Sequence, residues 1–351
     1  MNKKRGLTYE DAGVSIDTMD AAIADIKGMV RSTYRPEVVS DIGQFGGLFA
    51  LDKDKYDEPV LVSSNDSVGT KLKLAFMTGR HNTVGYDLVA HCANDILVLG
   101  AEPIFFLDYL GTSKLERRVM AKLMEGLSTG CKEVGCALIG GEIAELPSLY
   151  KPGEYDLVGT IVGMVERQKI ITGESIQPGD RIIGLASVGL HTNGYSLARK
   201  IMFEVCSYSP GSRIDELGIT VSDELLKPHR SYVRSILSLI EKSNADEPMI
   251  KGLAHITGGG LLDNIPRILP ENCDAVLEKG TWNVLPIFPF LQEKGNVAEN
   301  EMYRVFNMGI GMVVVVSADH ADQVINELES SGEIVYIIGE VVEGDRKVVF
   351  R

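Results

Sequence analysis

A chain of 351 residues exceeds what one ordinary hydrophobic core organises, so two domains are expected. Hydrophobic residues at 44% beside 24% charged residues describe a globular protein and rule out wholesale disorder. A formal net charge of −14 with no basic stripe argues against nucleic acid as a partner, and it leaves any anionic ligand to be held by local donors.

The cysteines at 92, 131, 136, 206 and 273 make no Cys-x-x-Cys pair and no zinc pattern, so reduced thiols in a cytoplasmic protein are expected. No apolar run approaches the roughly 18 residues of a membrane helix. The N-terminus lacks an apolar signal core, so neither membrane insertion nor export is expected.

In chain order, residues 1–15 read as a mobile polar arm. A helix over 18–32 follows, its apolar stripe formed by Met19, Ile23, Ile26, Met29 and Val30, with Lys27 in its second half. Residues 44–50 read as a Gly-broken strand. A strand at 59–63 then breaks into Asn65-Asp66-Ser67-Val68-Gly69-Thr70-Lys71. That loop offers a carboxylate, a hydroxyl, backbone N–H groups and an ammonium, the inventory a metal-bound polyphosphate requires. A helix ending at 99 places His91 and Asp95 four apart on one face. If it packs against the loop, Asp66 and Asp95 grip one Mg²⁺ from two elements. Taken singly, each Asp reads first as a turn cap or a solvated helix residue; the combination is what points to a metal.

Next come a strand over 103–110, a helix over 116–134 and a strand over 136–139 that turns at Gly140-Gly141-Glu142. A strand over 156–165 completes the first half, and the alternation suits α+β layers. The turn-rich stretch 166–180 divides the chain into domains over 1–168 and 175–351. The second opens with a strand over 181–186, which leads through Gly189-Leu190-His191-Thr192-Asn193-Gly194 into a helix ending at 203. A helix over 229–242 and a strand over 253–256 precede Thr257-Gly258-Gly259-Gly260 and a helix over 261–269. Those glycines suit an anion cradle at the helix start, or merely a tight turn. The stretch 286–292, helices at 300–306 and 319–330 and strands at 309–316, 334–342 and 348–350 complete the reading. Neither a Gly-x-x-x-x-Gly-Lys-Ser/Thr loop nor a Gly-x-Ser-x-Gly elbow is present.

These turns together resemble one family. Asn65 to Lys71, His91-Cys92-Ala93-Asn94-Asp95-Ile96, Gly140 to Pro147, Gly189 to Ser196, His255 to Gly260 and Phe306 to Met312 follow the motif order of the phosphoribosylformylglycinamidine cyclo-ligases, or aminoimidazole ribonucleotide (AIR) synthetases, of the PurM family. Tyr9 to Val14 and Phe45 to Phe49 fit as well. Ser67 stands where the family usually has Gly, and Ile143 and Leu146 replace Thr and Met; the charged residues are kept.

The resemblance implies a two-domain α+β homodimer whose N-terminal sheets pair, with ATP in a cleft between domains. The implied reaction closes formylglycinamidine ribonucleotide (FGAM) to AIR in purine biosynthesis, with ATP giving ADP and phosphate. The γ-phosphoryl group activates an amide oxygen, and a nitrogen then attacks that carbon. Such transfer asks mainly for positioning and charge neutralisation. On this reading Asp66, Asp95 and Glu142 hold Mg²⁺, Lys71 and Lys27 meet phosphate oxygens, and Gly69 and Thr70 add hydrogen bonds. His191 is the candidate acid or base, with an N-cap or a substrate hydrogen bond as its other reading. Asn193, Gly258, Gly259 and Gly260 are candidate ribose-phosphate contacts, and residues 11–14 an arm over ATP. His91 and His255 read as structural or supporting residues. Rival readings are the related thiamine-monophosphate kinases, selenophosphate synthetases and a carbamoyl-dehydrating maturation protein. A non-catalytic nucleotide-binding subunit is a further one. Residues 1–20 contain no Cys for selenium chemistry.

Overall fold

A computed structural model describes residues 6–242 and 249–351. Helix α1 (Ile16–Arg31) begins at Ser15, whose hydroxyl accepts the Thr18 N–H, and buries Ala22, Ile26 and Val30. The N-terminal half continues with β1 (Pro59–Ser67), α2 (Leu72–Thr78), α3 (Asn82–Leu97), β2 (Glu102–Thr112), α4 (Arg117–Val134), β3 (Ala137–Glu145) and β4 (Tyr155–Glu166). Its sheet runs β1-β4-β2-β3, with β2 and β3 parallel and the other pairs antiparallel. Helices α3 and α4 cover one face. The alternating burial of β1 leaves Leu61 61% exposed on the other.

The C-terminal half comprises β5 (Arg181–Ala186), α5 (Tyr195–Arg199) with a π-turn through Val205, the hairpin β6 (Arg213–Ile214) and β7 (Ile219–Thr220), α6 (Val221–Leu225) and α7 (Val233–Lys242). After these come β8 (Ile250–His255), α8 (Gly260–Asn264), β9 (Cys273–Leu277), α9 (Ile287–Gly295), α10 (Glu299–Val305), β10 (Ile310–Val316), α11 (Ala321–Ser330), β11 (Val335–Glu343) and β12 (Val348–Phe350). Its six-stranded sheet has the order β12-β9-β11-β5-β10-β8. Every residue of β10 is buried, because layers pack on both faces: Met312, Val314 and Val316 join the core shared with the N-terminal half, and Val313 and Val315 join the other.

Several local expectations are corrected. Strand β1 does not break at Asn65 but stays paired with β4 through Ser67, so Asp66 is a strand residue facing α3. Strand β3 likewise runs through Gly140-Gly141, because β2 pairs with it there. Residues 44–50 form no strand; only Phe49 makes an isolated bridge, to Val38, and Phe45 is fully exposed. The helix expected from 229 starts at Val233, since α3 captures the backbone before it: Asn94 donates to Arg230 O at 2.9 Å and accepts the Tyr232 N–H at 3.0 Å. Of the arm expected over 1–15, residues 1–5 lie outside the described residues, and its far end is tethered where Glu145 accepts the Ser15 N–H at 3.0 Å.

Candidate functional site

Strand β1 and helix α3 place a histidine between two carboxylates. His91 Nε2 lies 2.7 Å from Asp66 Oδ2 and 3.7 Å from Asp95 Oδ2, one helical turn along. From the end of β8, His255 Nδ1 donates to Asp95 Oδ1 at 2.8 Å. The Ser67 N–H donates to Asp66 Oδ1 at 2.6 Å, and the Ser64 hydroxyl to Asp95 Oδ2 at 3.3 Å. Burial raises both carboxyls, but hydrogen bonds to His91 and His255 respectively outweigh it and hold them below the usual carboxylate range. Burial pulls His91 down, yet its hydrogen bond to Asp66 and the charge of Asp95 hold it above the ordinary imidazole value.

This cluster forms one wall of a cleft of about 760 Å³ between the two halves. Asp66, Gly69, Asp95, Asn193 and Gly258 line it together with Arg267. Arg267 went unnoticed in the sequence, where a lone Arg after a proline carries no pattern. Thr70 stands beside the cleft, its hydroxyl 3.0 Å from that of Ser196. Gly259 and Gly260 do not face the cleft: a Cβ on Gly260 would lie 2.0 Å from Tyr303 O, so close packing of α8 on α10 requires that glycine.

Two expected ligand contacts are buried instead. Lys71 is fully enclosed, 2.7 Å from Asp87 Oδ2, and donates to the carbonyls of His191 at 2.9 Å and Lys227 at 2.8 Å. Its ammonium therefore joins the two halves rather than meeting phosphate. His191 is 1% exposed and stacks on His229 with ring centroids 4.2 Å apart. Burial drives its pKa far down, so the ring is neutral, and Nδ1 has no partner. The acid–base role expected of it is not supported by this placement; its neighbours Thr192 and Asn193 line the cleft.

Glu142 lines a second cavity of about 560 Å³ between α1, the 41–47 loop and β3, and Lys27 lies beside it. Lys27 pairs with Asp41 at 3.5 Å, and Asp41 and Glu142 line this cavity. In register, Asp66 lies opposite Gly159, Gly159 opposite Asp108, and Asp108 opposite Gly141. Three inter-strand spacings, about 14 Å, separate Asp66 from this position. Glu142, one residue on, points to the other face, so it cannot share a single ion with Asp66. In the same row burial pushes Asp108 up to about 7.

Among the described residues, two groups offer metal-ligating atoms within 4.8 Å of one another: Asp66, His91 and Asp95, and the buried rings of His91, His229 and His255. His229 was not picked out from sequence, because the Pro228-flanked segment that carries it read as helix.

Residues 49–165 match the N-terminal domain, and residues 177–351 the C-terminal domain, of the AIR synthase related proteins. A thiamine-monophosphate kinase from Stenotrophomonas maltophilia superposes with a TM-score of 0.70 at 18% identity, covering 94% of this chain and 95% of that one. The hydrogenase maturation protein HypE, solved in complex with ATP, gives 0.70 at 16% identity and covers 97% and 93%. The architecture is thus the two-domain α+β fold of the PurM-like proteins. Phosphoribosylformylglycinamidine cyclo-ligases from Citrifermentans bemidjiense and Geotalea uraniireducens are 54% and 55% identical over 343 and 337 residues, covering 98% and 96% of this chain and 97% and 95% of theirs. The chain belongs to the phosphoribosylformylglycinamidine cyclo-ligase family.

Proposed function

We propose that the protein closes FGAM to AIR at the expense of ATP, releasing ADP and phosphate, as a step of purine biosynthesis. The observation that carries this reading is the pair of ionised carboxylates in the inter-domain cleft of a chain that matches the cyclo-ligases over nearly its whole length. Asp66 and Asp95 present the hard oxygen donors that Mg²⁺ prefers, within reach of one ion. When bound, Mg²⁺ would neutralise and orient the polyphosphate. His91 and His255 fix both carboxylates by hydrogen bonds from behind. Arg267, Asn193 and the Gly258 backbone suit the substrate's ribose phosphate, with Arg267 supplying charge where the net field is repulsive. Gly69 and Thr70 remain proposed nucleotide contacts. We place Glu142, on the second cavity, and Lys27, beside it through Asp41, at a separate part of the nucleotide site.

With the γ-phosphoryl on the formyl amide oxygen, a poor leaving group becomes phosphate. Attack by the amidine nitrogen on that carbon then closes the imidazole. The arm over 8–14, docked through Ser15 on Glu145, is positioned to exclude water. ADP release that requires FGAM, and that falls about 100-fold or more in Asp66→Asn and Asp95→Asn, is the expected result. ADP release indifferent to FGAM would sink the reading.

The open face of the N-terminal sheet, with Leu61 exposed, supports a homodimer in which two such faces close on each other. Among the described residues no helix is long and apolar enough to cross a membrane. The reading carries with it a cytoplasmic setting, in keeping with five free cysteines.

A further inference from the structure

Behind the cleft wall, hydrogen bonding fixes which ring nitrogens carry protons. Asn94 is oriented by two backbone groups, accepting the Tyr232 N–H and donating to Arg230 O, so its remaining amide hydrogen points at His229 Nε2, 3.2 Å away. His229 Nε2 is therefore an acceptor, and its Nδ1–H faces Thr192 Oγ1 at 3.3 Å. His255 spends its Nδ1–H on Asp95, which leaves a lone pair on Nε2 of the neutral ring. Those two lone pairs, on His229 Nε2 and His255 Nε2, face each other at 3.0 Å with nothing between them to attract both. His91 spends Nε2–H on Asp66, leaving Nδ1 to accept from the Thr192 hydroxyl at 2.8 Å. Each ring thus has one unprotonated nitrogen. That of His255 meets no other donor among the described residues, whereas those of His229 and His91 accept from Asn94 and Thr192, contacts a metal would replace. The three rings offer atoms within 4.8 Å of one another.

We propose that His91, His229 and His255 form a binding site for a borderline transition-metal dication such as Zn²⁺, distinct from the oxygen-lined Mg²⁺ position. Zn–N bonds of about 2.0–2.1 Å hold ligand nitrogens about 3.3 Å apart, close to the separation already present between His229 and His255. Two of the rings have the carboxylate behind them that metal-binding histidines use for orientation: Asp66 for His91, and Asp95 for His255. The buried charges nearby are Lys71 and Asp87, which cancel, and the two carboxylates, which leave room for a dication. Access is from the cleft, since His91 and His255 both line it. A metal on the rings would lock Asp66 and Asp95 from behind. The inference does not depend on the identity of the phosphoryl acceptor.

Co²⁺, a visible-absorbing stand-in for Zn²⁺, tests this with the purified full chain dialysed in excess Mg²⁺. One Co²⁺ retained per chain, with the intense visible absorption of a low-coordinate nitrogen site and displaced by Zn²⁺, is expected. Retention should be lost in His229→Gln and should weaken about 10–100-fold in Asp95→Asn. Absence of retained Co²⁺, or retention unchanged in His229→Gln, would overturn the proposal. Imidazole nitrogen NMR of the unmutated protein supplies a readout that no folding defect can obscure. Zn²⁺ should shift His229 Nε2 and His255 Nε2; if both resonances stay in place, or behave as a protonated His255 alone, the site does not exist.

Discussion

Lys71 and Asp87 pair where no solvent reaches; burial pushes the lysine down and the aspartate up, so each depends on the other as its partner. Lys71→Met strands Asp87 and should cost about 3–5 kcal/mol in urea denaturation. Adding Asp87→Asn should restore much of that, since the amide oxygen still accepts the His229 N–H now bound at 2.7 Å. Arg267→Ala should raise KM for the nucleotide substrate about tenfold or more with a smaller change in kcat, as expected for ground-state binding of a phosphate. Burial depresses both His191 and His229. In the unfolded chain they take up protons near pH 6.5, whereas in the fold they do not. Their stabilising contribution is therefore present above about pH 6.5 and lost as pH falls. His91 has the opposite sign, its stabilisation being greatest below its unfolded value and fading as pH rises through the folded one. His81 and His255 are depressed by burial too, so with four depressed rings against one raised, Tm should drop between about pH 7 and pH 5.5, and a flat profile would contradict the burial argument.

At the scale of elements, α3 and α4 cross so closely that glycines carry the contact. A Cβ on Gly126 would sit 1.9 Å from Asn82 O, and one on Gly85 would sit 2.3 Å from Leu123 O. Gly126→Ala should destabilise by about 1–3 kcal/mol or more and loosen the helix that presents His91 and Asp95. The regular elements were largely legible, because 3.6-residue stripes such as Met19-Ile23-Ile26-Val30 and the apolar run of β10 state their own burial. What misled was glycine and polarity inside strands. Asn65-Asp66-Ser67 and Gly140-Gly141 look like turns, and only pairing with β4 and β2, which no local pattern reports, keeps them extended. Asp66, Asp95, Asn193 and Gly258, singled out by loop chemistry and by the motifs that resemble the family, do line one cleft. The burial of Lys71 and His191 was not legible, since a polar residue's burial is set by partners more than a hundred positions away.

On the scale of the molecule, one face of the N-terminal sheet carries no helix among the described residues, leaving Leu61 exposed, whereas both faces of the C-terminal sheet are covered. Leu61→Glu should convert a dimer to monomer in sedimentation equilibrium while leaving the C-terminal core intact; an unchanged mass would remove that face as the contact. The two halves are also stitched together. Asp87, Asn94 and Lys71 from one half hold the backbone of residues 191 and 227–232 from the other.

That seam has a mechanical corollary. Swinging the halves apart like a clamshell would pull the Lys71 ammonium off two carbonyl oxygens in a dry interior, so the gap between them is preset rather than adjustable. Traffic in and out must then be governed by the thin parts at the rim, above all the tethered stretch ahead of α1. Hydrogen exchange should accordingly slow at residues 8–14 when nucleotide binds, while amides along the seam stay equally protected throughout the catalytic cycle.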